Sequence, residues 1–260
     1  MPPPDPAEIH RRAEVEGRRR LSMPPVEQAA TGFIAGVTII FGIVALGVVH
    51  ALLEPEFGRD VASLGGALAF GIGVVFLVVG RSELFTENFF DPVAAAIADR
   101  HRRAWLRLGR LWVTMLVLNL VGGALLVAML TVDGALPDRS GAALVVVAEE
   151  IASKRWDATF VRAVLAGALI TLLSYMLSAA DSVAARIIVA YLVGAFLALG
   201  PFDHVVVSGL QLLFGVWLSD AVTYRDVAAN VGLATIGNLV GGLVLITFTH
   251  TAQVKGGNGR

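Results

Sequence analysis

Cysteine is absent from all 260 residues, which excludes a disulfide framework, a thiolate nucleophile and a zinc–thiolate site. Charge is scarce as well: Asp, Glu, Lys and Arg make up 16 % of the chain, against about 25 % in an ordinary soluble domain. The net charge of −1 excludes bulk electrostatic attraction to nucleic acid, so no nucleic-acid partner is expected. No glycine-rich phosphate loop and no His/Glu metal spacing occurs, so neither a cofactor nor a metal is expected. The first 30 residues lack an apolar run, and no cleavable signal peptide is expected there. What the chain does have is apolar bulk. Hydrophobic residues make up 56 % of it and glycine contributes 28 residues, at a mean hydropathy of +0.75. That composition belongs to an all-α integral membrane protein.

A helical crossing takes about 20 apolar residues. Runs of that kind extend from Thr31 to Leu53, Val61 to Ala98, Ala104 to Leu130, Thr159 to Ala180, Val183 to Leu218 and Val227 to His250. The second and fifth are too long for one span. Glu83, Glu87 and Asp91 interrupt the second, and Gly200-Pro201-Phe202-Asp203-His204 interrupts the fifth. Six crossings are therefore predicted, two of them discontinuous, as a transmembrane domain over residues 26–250. A charged segment over 1–25 precedes it, read equally as a surface helix or a solvated tail, and a short tail over 251–260 follows. Segments rich in Arg (Arg11 to Arg20, Arg100 to Arg110, then Arg186, Lys255 and Arg260) alternate with segments holding only Arg59, Arg139, Lys154, Arg155 and Arg225. The richer side is cytoplasmic by the positive-inside rule, which puts both termini in the cytoplasm.

The two halves repeat one another. Asn119-Leu120-Val121-Gly122-Gly123 recurs as Asn238-Leu239-Val240-Gly241-Gly242, and Thr86 and His204 precede their respective asparagines at nearly equal distance. With three crossings in each half (about 26–131 and 159–250), the second half is inverted relative to the first. Inverted repeats with paired discontinuous helices place a permeation site near the membrane midplane.

Unwound backbone at membrane depth must be buried in protein or line a cavity, and polar side chains there are functional candidates. In the first interruption these are Glu83, Thr86, Glu87 and Asn88; in the second, Asp203 and His204. His204 is the one histidine that falls in the middle of an apolar run, directly after a proline-broken segment. Imidazole titrates near neutrality and can hand a proton to a solute. The small-residue steps Gly32-xxx-Gly36 and Gly237-xxx-Gly241 suit close helix packing, and Trp105, Trp112, Trp156 and Trp217 read as interfacial anchors.

Through Glu83-Leu84-Phe85-Thr86, Gly200-x-Phe202-Asp203-His204 and Gly237-Asn238-Leu239-Val240-Gly241-Gly242, the chain resembles the formate/nitrite transporter family over about Val26 to His250. The resemblance implies an aquaporin-like bundle of six transmembrane helices, assembled as a pentamer with one pore per protomer. It implies that Thr86 and His204 face each other at the pore centre, with Leu84 and Phe85 in the Thr86 loop and Asn238 a polar partner near the histidine. By offset, Val74 and Leu197 fall at apolar constrictions. Lys154 or Arg155 would match a lysine that draws anions into the outer vestibule, and Asp203 would match an acid that precedes the histidine. The chain departs from the family in having Thr171 where an asparagine is common, and in the carboxylate of Glu87 beside the pore loop. The function implied is passage of small monovalent anions or their conjugate acids through the inner membrane, without catalysis. A neutral-solute channel on the same fold is the first alternative. The second is an intramembrane serine protease using Ser208 and His250, disfavoured by Val206 where such a motif needs glycine.

Overall fold

The computed structural model describes residues 3–257, and among these it is built of helices without a strand. Ten helices follow in order: α1 (Pro6–Ser22), α2 (Pro25–Gly80), α3 (Asp91–Asp99), α4 (Arg102–Leu130), α5 (Ser140–Ala152), α6 (Trp156–Ala179), α7 (Val183–Leu199), α8 (Val205–Leu218), α9 (Tyr224–Val240) and α10 (Phe248–Gly257). A 3₁₀ turn, Thr86–Phe89, lies between α2 and α3, and a π-helical stretch, Gly241–Thr247, joins α9 to α10. Four stretches are long and apolar enough to cross a membrane: Pro25–Gly80, Arg102–Leu130, Trp156–Ala179 and Tyr224–Gly257. Helices α7 and α8 are shorter and also apolar.

At 56 residues, α2 would reach about 84 Å if straight, at 1.5 Å per residue. It is instead folded at Gly58, whose φ of 77° and ψ of 172° only glycine adopts without strain. The two arms lie back to back: a Cβ added to Gly42 would stand 2.8 Å from the Phe70 carbonyl and 3.0 Å from Gly73. One run of helix thus supplies both the first apolar stretch and the start of the second.

The N-terminal segment is not a solvated tail. Asp5 caps α1 by accepting the Glu8 N–H at 2.8 Å, and Ile9, His10, Ala13, Gly17 and Leu21 form a buried face on it. That face packs on α3, where the absent side chain of Gly17 admits the Asp91 carbonyl. A second difference is α5, which occupies the stretch read from sequence as a loop. Its buried Ala143, Leu144, Ala148 and Ile151 recur at helical spacing. Of the expected tail, residues 251–257 are helical, and 258–260 lie outside the described residues.

The main core is a cluster that runs through both halves, from Ile39, Ile43 and Phe70 through Phe89 and Leu111 to Ile170, Leu210 and Phe214, and a smaller one joins Ala148 and Ile151 to Leu212 and Val222. Two crossings within the main core repeat. A Cβ on Gly36 would collide with the backbone carbonyl of Asn119, and one on Gly167 with that of Asn238. Glycine at each point lets two helix backbones touch, α2 on α4 and α6 on α9.

Candidate functional site

The first interruption begins where α2 ends in a left-handed residue, Arg81 (φ 53°). Ser82 donates its N–H back to the Leu77 carbonyl at 3.2 Å, the six-to-one closure of a Schellman-type stop. The chain then runs through Glu83, Leu84 and Phe85 into the Thr86–Phe89 turn and re-enters helix at Asp91, with Pro92 in the first turn of α3. All of these residues are buried, so their backbone groups must find partners in the protein. The Phe85 N–H donates to Asn119 Oδ1 at 2.8 Å. The Asn119 amide donates to the carbonyls of Gly32 (2.8 Å) and Glu83 (3.1 Å). The Leu84 N–H donates to Glu87 Oε2 at 2.8 Å, and Asn88 Nδ2 returns to the Leu84 carbonyl at 2.8 Å. Trp112 Nε1 donates to the Asn88 carbonyl at 2.9 Å, and its ring meets Phe89 edge-on at 5.6 Å. On the far side Phe89 rests against Gly242, and Thr247 Oγ1 donates to the Phe89 carbonyl at 2.7 Å. The π-helical stretch that holds Gly242 and Thr247 therefore cradles the turn.

The second interruption is built the same way. Helix α7 stops at Leu199; Gly200 and Pro201 lead out of it, and His204 caps the N-terminus of α8. The Val205 N–H donates to Asn238 Oδ1 at 3.0 Å. The Asn238 amide donates to the carbonyls of Ala163 (2.7 Å) and Asp203 (3.1 Å). Both amide protons of Asn238 are thereby committed to backbone, so the side chain fastens the loop beside His204. Trp112, read from sequence as an interfacial anchor, likewise fastens a loop.

The two interruptions meet in one contact. Thr86 Oγ1 lies 2.5 Å from His204 Nε2, with both residues buried. The other ring nitrogen, Nδ1, accepts the Val207 N–H at 3.3 Å. Because Nδ1 is an acceptor, the network assigns the ring proton to Nε2, directed at the Thr86 oxygen. The Thr86 hydroxyl hydrogen is then left without a protein acceptor.

A cavity lies against each interruption. The first, about 570 Å³, is lined by Arg19, Arg20, Arg81, Glu83, Glu87 and Asp91 among others. The second, about 330 Å³, is lined by Leu197, Phe202, Asp203, His204, Lys154 and Arg162 among others. Thr86, Leu84, Phe85 and Val74 line neither and are buried. Val74 packs on α7 at Gly194, beside Leu197. Phe202 meets Phe196 edge-on at 5.1 Å.

Each interruption also holds one buried carboxylate gripped by two cations. Glu83 pairs with Arg19 at 2.8 Å and Arg20 at 3.3 Å. Asp203 pairs with Lys154 at 2.6 Å and Arg162 at 3.4 Å. Burial depresses the Lys154 ammonium below its ordinary value, with Asp203 opposing the shift. Burial would also depress Arg20, but Glu83, Asp91 and Glu16 outweigh it and raise the guanidinium further. Lys154 and Arg155, interchangeable in sequence, separate here. Arg155 is 80 % exposed, forks onto Asp157 at 2.9 Å and lines neither cavity, whereas Lys154 lines the second. The cations that sequence reasoning missed are Arg162, Arg19 and Arg20. Arg162 stands inside an apolar run, which is signal enough; the reach of α1 into the first cavity has no local signal. Thr171 is buried, and its hydroxyl has no protein partner.

Comparison with known proteins agrees with this construction. The profile of the formate/nitrite transporter family matches residues 7–252. A probable formate transporter of Methanothermobacter thermautotrophicus is 30 % identical over 233 residues, covering 82 % of this chain and 84 % of its own. The formate channel FocA of Escherichia coli K12 is 24 % identical, with 94 % and 92 % covered. Among solved structures, an FNT family ion channel superimposes with a TM-score of 0.79 at 20 % identity over 94 % of this chain and 98 % of its own. A pentameric formate channel with formate bound gives 0.73 at 21 % identity, over 86 % and 95 %. The all-helical fold is that of these channels, and the chain belongs to the formate/nitrite transporter family.

Proposed function

We propose that this protein is a channel or proton-coupled carrier for small monovalent anions or their conjugate acids, of the formate or nitrite kind. In this reading it spans the inner membrane six times as an inverted repeat, with the second and fifth crossings interrupted and both termini cytoplasmic. The cavity under α1 then opens inward and the cavity beside Lys154 outward. It assembles as a homopentamer, like the formate channel it superimposes on, with one path per protomer.

The observation that carries the proposal is the 2.5 Å contact between Thr86 and His204, made where the two interrupted helices meet. An anion loses much of its hydration in the apolar stretch formed by Leu197, Phe202, Phe85, Leu84 and Val74, whereas the neutral acid does not. Lys154, with Arg162 beside it, concentrates the anion at the outer mouth. The Thr86 hydroxyl offers a hydrogen bond midway. Proton transfer from His204 requires the ring to take a second proton at Nδ1, which releases the Val207 N–H; the histidine is a proton donor only while that cap is open. Asp203 and Asn238 act as positioning residues, the first holding Lys154 and the second holding the loop.

The acceptor role of Nδ1 also favours a second reading, a neutral-solute path in which His204 only hydrogen-bonds. Stopped-flow flux into liposomes for formate, nitrite, lactate, hydrosulfide and acetate at two pH values separates the two. Flux that rises with the protonated fraction of a weak acid supports the first; pH-independent flux of uncharged solutes alone supports the second.

A further inference from the structure

The fold treats two groups of five arginines differently. On α1, Arg11, Arg12, Arg18, Arg19 and Arg20 all pair with carboxylates. At the corner where α3 turns into α4, Arg100, Arg102, Arg103, Arg107 and Arg110 pair with none among the described residues, whose ion pairs all involve other cations. The corner is also concave. The last turn of α1, the link through Met23 and Pro25, and the first turns of α4 enclose two adjoining hollows of about 760 and 460 Å³, which share Arg103 and Arg107. The one acid in their walls, Asp99, is already bonded to Arg18 at 3.0 Å.

Below the hollow the same helix face turns apolar. Leu106, Arg110, Val113, Val117 and Val121 follow at three- and four-residue steps, a single face of α4. Leu106 is 63 % exposed and Val113 65 %. Arg110 and Val117 are separated by about 10 Å along the axis, at 1.5 Å per residue. A basic hollow therefore sits directly above an unpartnered apolar stripe, at the end of a helix long enough to cross a membrane.

We propose that this corner binds an anionic phospholipid, its phosphodiester held by Arg103, Arg107 and Arg110 and its acyl chains lying along the Val113, Val117 and Val121 stripe. Charge complementarity selects the occupant. Guanidinium groups match phosphate oxygens in fork geometry, and basic pockets at the cytoplasmic end of membrane helices take acidic headgroups. A soluble anion would leave the stripe uncovered. A second copy in a ring would meet this face with a different surface, and the test below separates that case by reading oligomer mass beside lipid retention. The proposal takes from the preceding reading only that α4 crosses the membrane with this end inward, and its readout does not involve transport, so either can fail alone.

Each arginine near a headgroup layer contributes about fivefold in lipid affinity, and three contribute on the order of a hundredfold. The test is native mass spectrometry of the full-length protein released from vesicles of equal phosphatidylcholine and phosphatidylglycerol. The wild-type protein should retain phosphatidylglycerol in preference. Arg103→Gln/Arg107→Gln/Arg110→Gln should lose that preference by on the order of a hundredfold, with phosphatidylcholine retention and oligomer mass unchanged. Arg139→Gln/Arg155→Gln/Arg225→Gln removes equal charge elsewhere and should leave the preference intact. If the first triple variant does not insert, Arg107→Gln alone should lower the preference about fivefold. The proposal is overturned if the corner variants retain phosphatidylglycerol as the wild type does, or if the control triple loses as much. Glycerol phosphate that competes as well as the lipid would also overturn it, as would a corner variant that falls to a smaller oligomer with lipid retention unchanged.

Discussion

Asn119 and Asn238 perform the same task at the two helix interruptions. Each accepts one backbone N–H from its interruption (Phe85 or Val205) and donates to two carbonyls, one in the interruption and one in a neighbouring helix. Both are fully buried. Replacing either with alanine strips one N–H and two carbonyls of a buried partner, at about 1–3 kcal/mol for each group left unsatisfied. Asn119→Ala and Asn238→Ala should therefore lower the thermal unfolding midpoint of the purified protein by similar, large amounts. Asp substitutions keep the acceptor but aim a carboxylate oxygen at two buried carbonyls, so they should be destabilised at least as much as alanine. Midpoints within a degree of wild type would mean that water replaces the amide.

Arg20 and Glu83 tie the N-terminal helix to the first interruption, and Arg20 also reaches Asp91 at 3.4 Å and the Glu87 carbonyl at 3.1 Å. Removing one partner of a buried ion pair costs about 3–5 kcal/mol. Arg20→Ala should accordingly destabilise the protein strongly in heat-challenged size-exclusion profiles. Arg20→Gln/Glu83→Gln should cost less than the sum of its two single variants, because neither charge is then left alone. Strict additivity would show that the two side chains do not share an energetic link.

Much of this architecture is legible in the sequence. The Asn-Leu-Val-Gly-Gly repeat and its spacing to Thr86 and His204 point to paired interruptions, and Pro201 and the polar run from Glu83 mark where helix stops. What the spacing cannot reveal is orientation: Asn238 reads equally well as lining a path or fastening a loop, and only the three backbone bonds decide. Lys154 and Arg155 are adjacent, and a one-residue step at the start of α6 sends one side chain to Asp203 and the other to Asp157. Helix α5 has the apolar period of a helix but lies in a stretch marked by Asp133, Gly134 and Pro137, whose turn chemistry masks it. The descent of α1 onto α3 depends on contacts between segments far apart in the chain, for which a local pattern carries no signal.

The separation of Lys154 from Arg155 has a functional consequence. Lys154→Gln should reduce anion uptake at low external concentration severalfold and flatten its salt dependence, since an attracting charge at a cavity mouth is screened by salt. Arg155→Gln should change neither. A lysine is cationic below its pKa, and burial lowers that of Lys154. The uptake advantage should therefore fade on the alkaline side at a lower pH than an exposed lysine would give, and this fading should be absent in Lys154→Gln. Equal losses in the two variants would point to diffuse charge rather than to the Asp203-held lysine.

Topology is open to a direct check. Ala135 lies in the exposed link between α4 and α5, and His101 in the exposed link between α3 and α4. The chain has no native cysteine, so Ala135→Cys and His101→Cys each offer a single thiol. In sealed cells an impermeant maleimide should modify Ala135→Cys from outside and reach His101→Cys only after lysis. Labelling of both from one side would contradict an inverted repeat.

The most direct test of the mechanism is the pH profile of initial uptake rates in liposomes for wild type, His204→Asn and His204→Phe. If the Thr86–His204 contact carries the passing solute and His204 acts through protonation, His204→Asn should leave flux whose only pH dependence is that of the substrate's own acid fraction. His204→Phe, which fills similar volume without ring nitrogens, should lose the pH-dependent component altogether while assembling normally. Variants that form wild-type oligomers and transport with an unaltered pH profile would contradict the mechanism and leave His204 as the cap of α8.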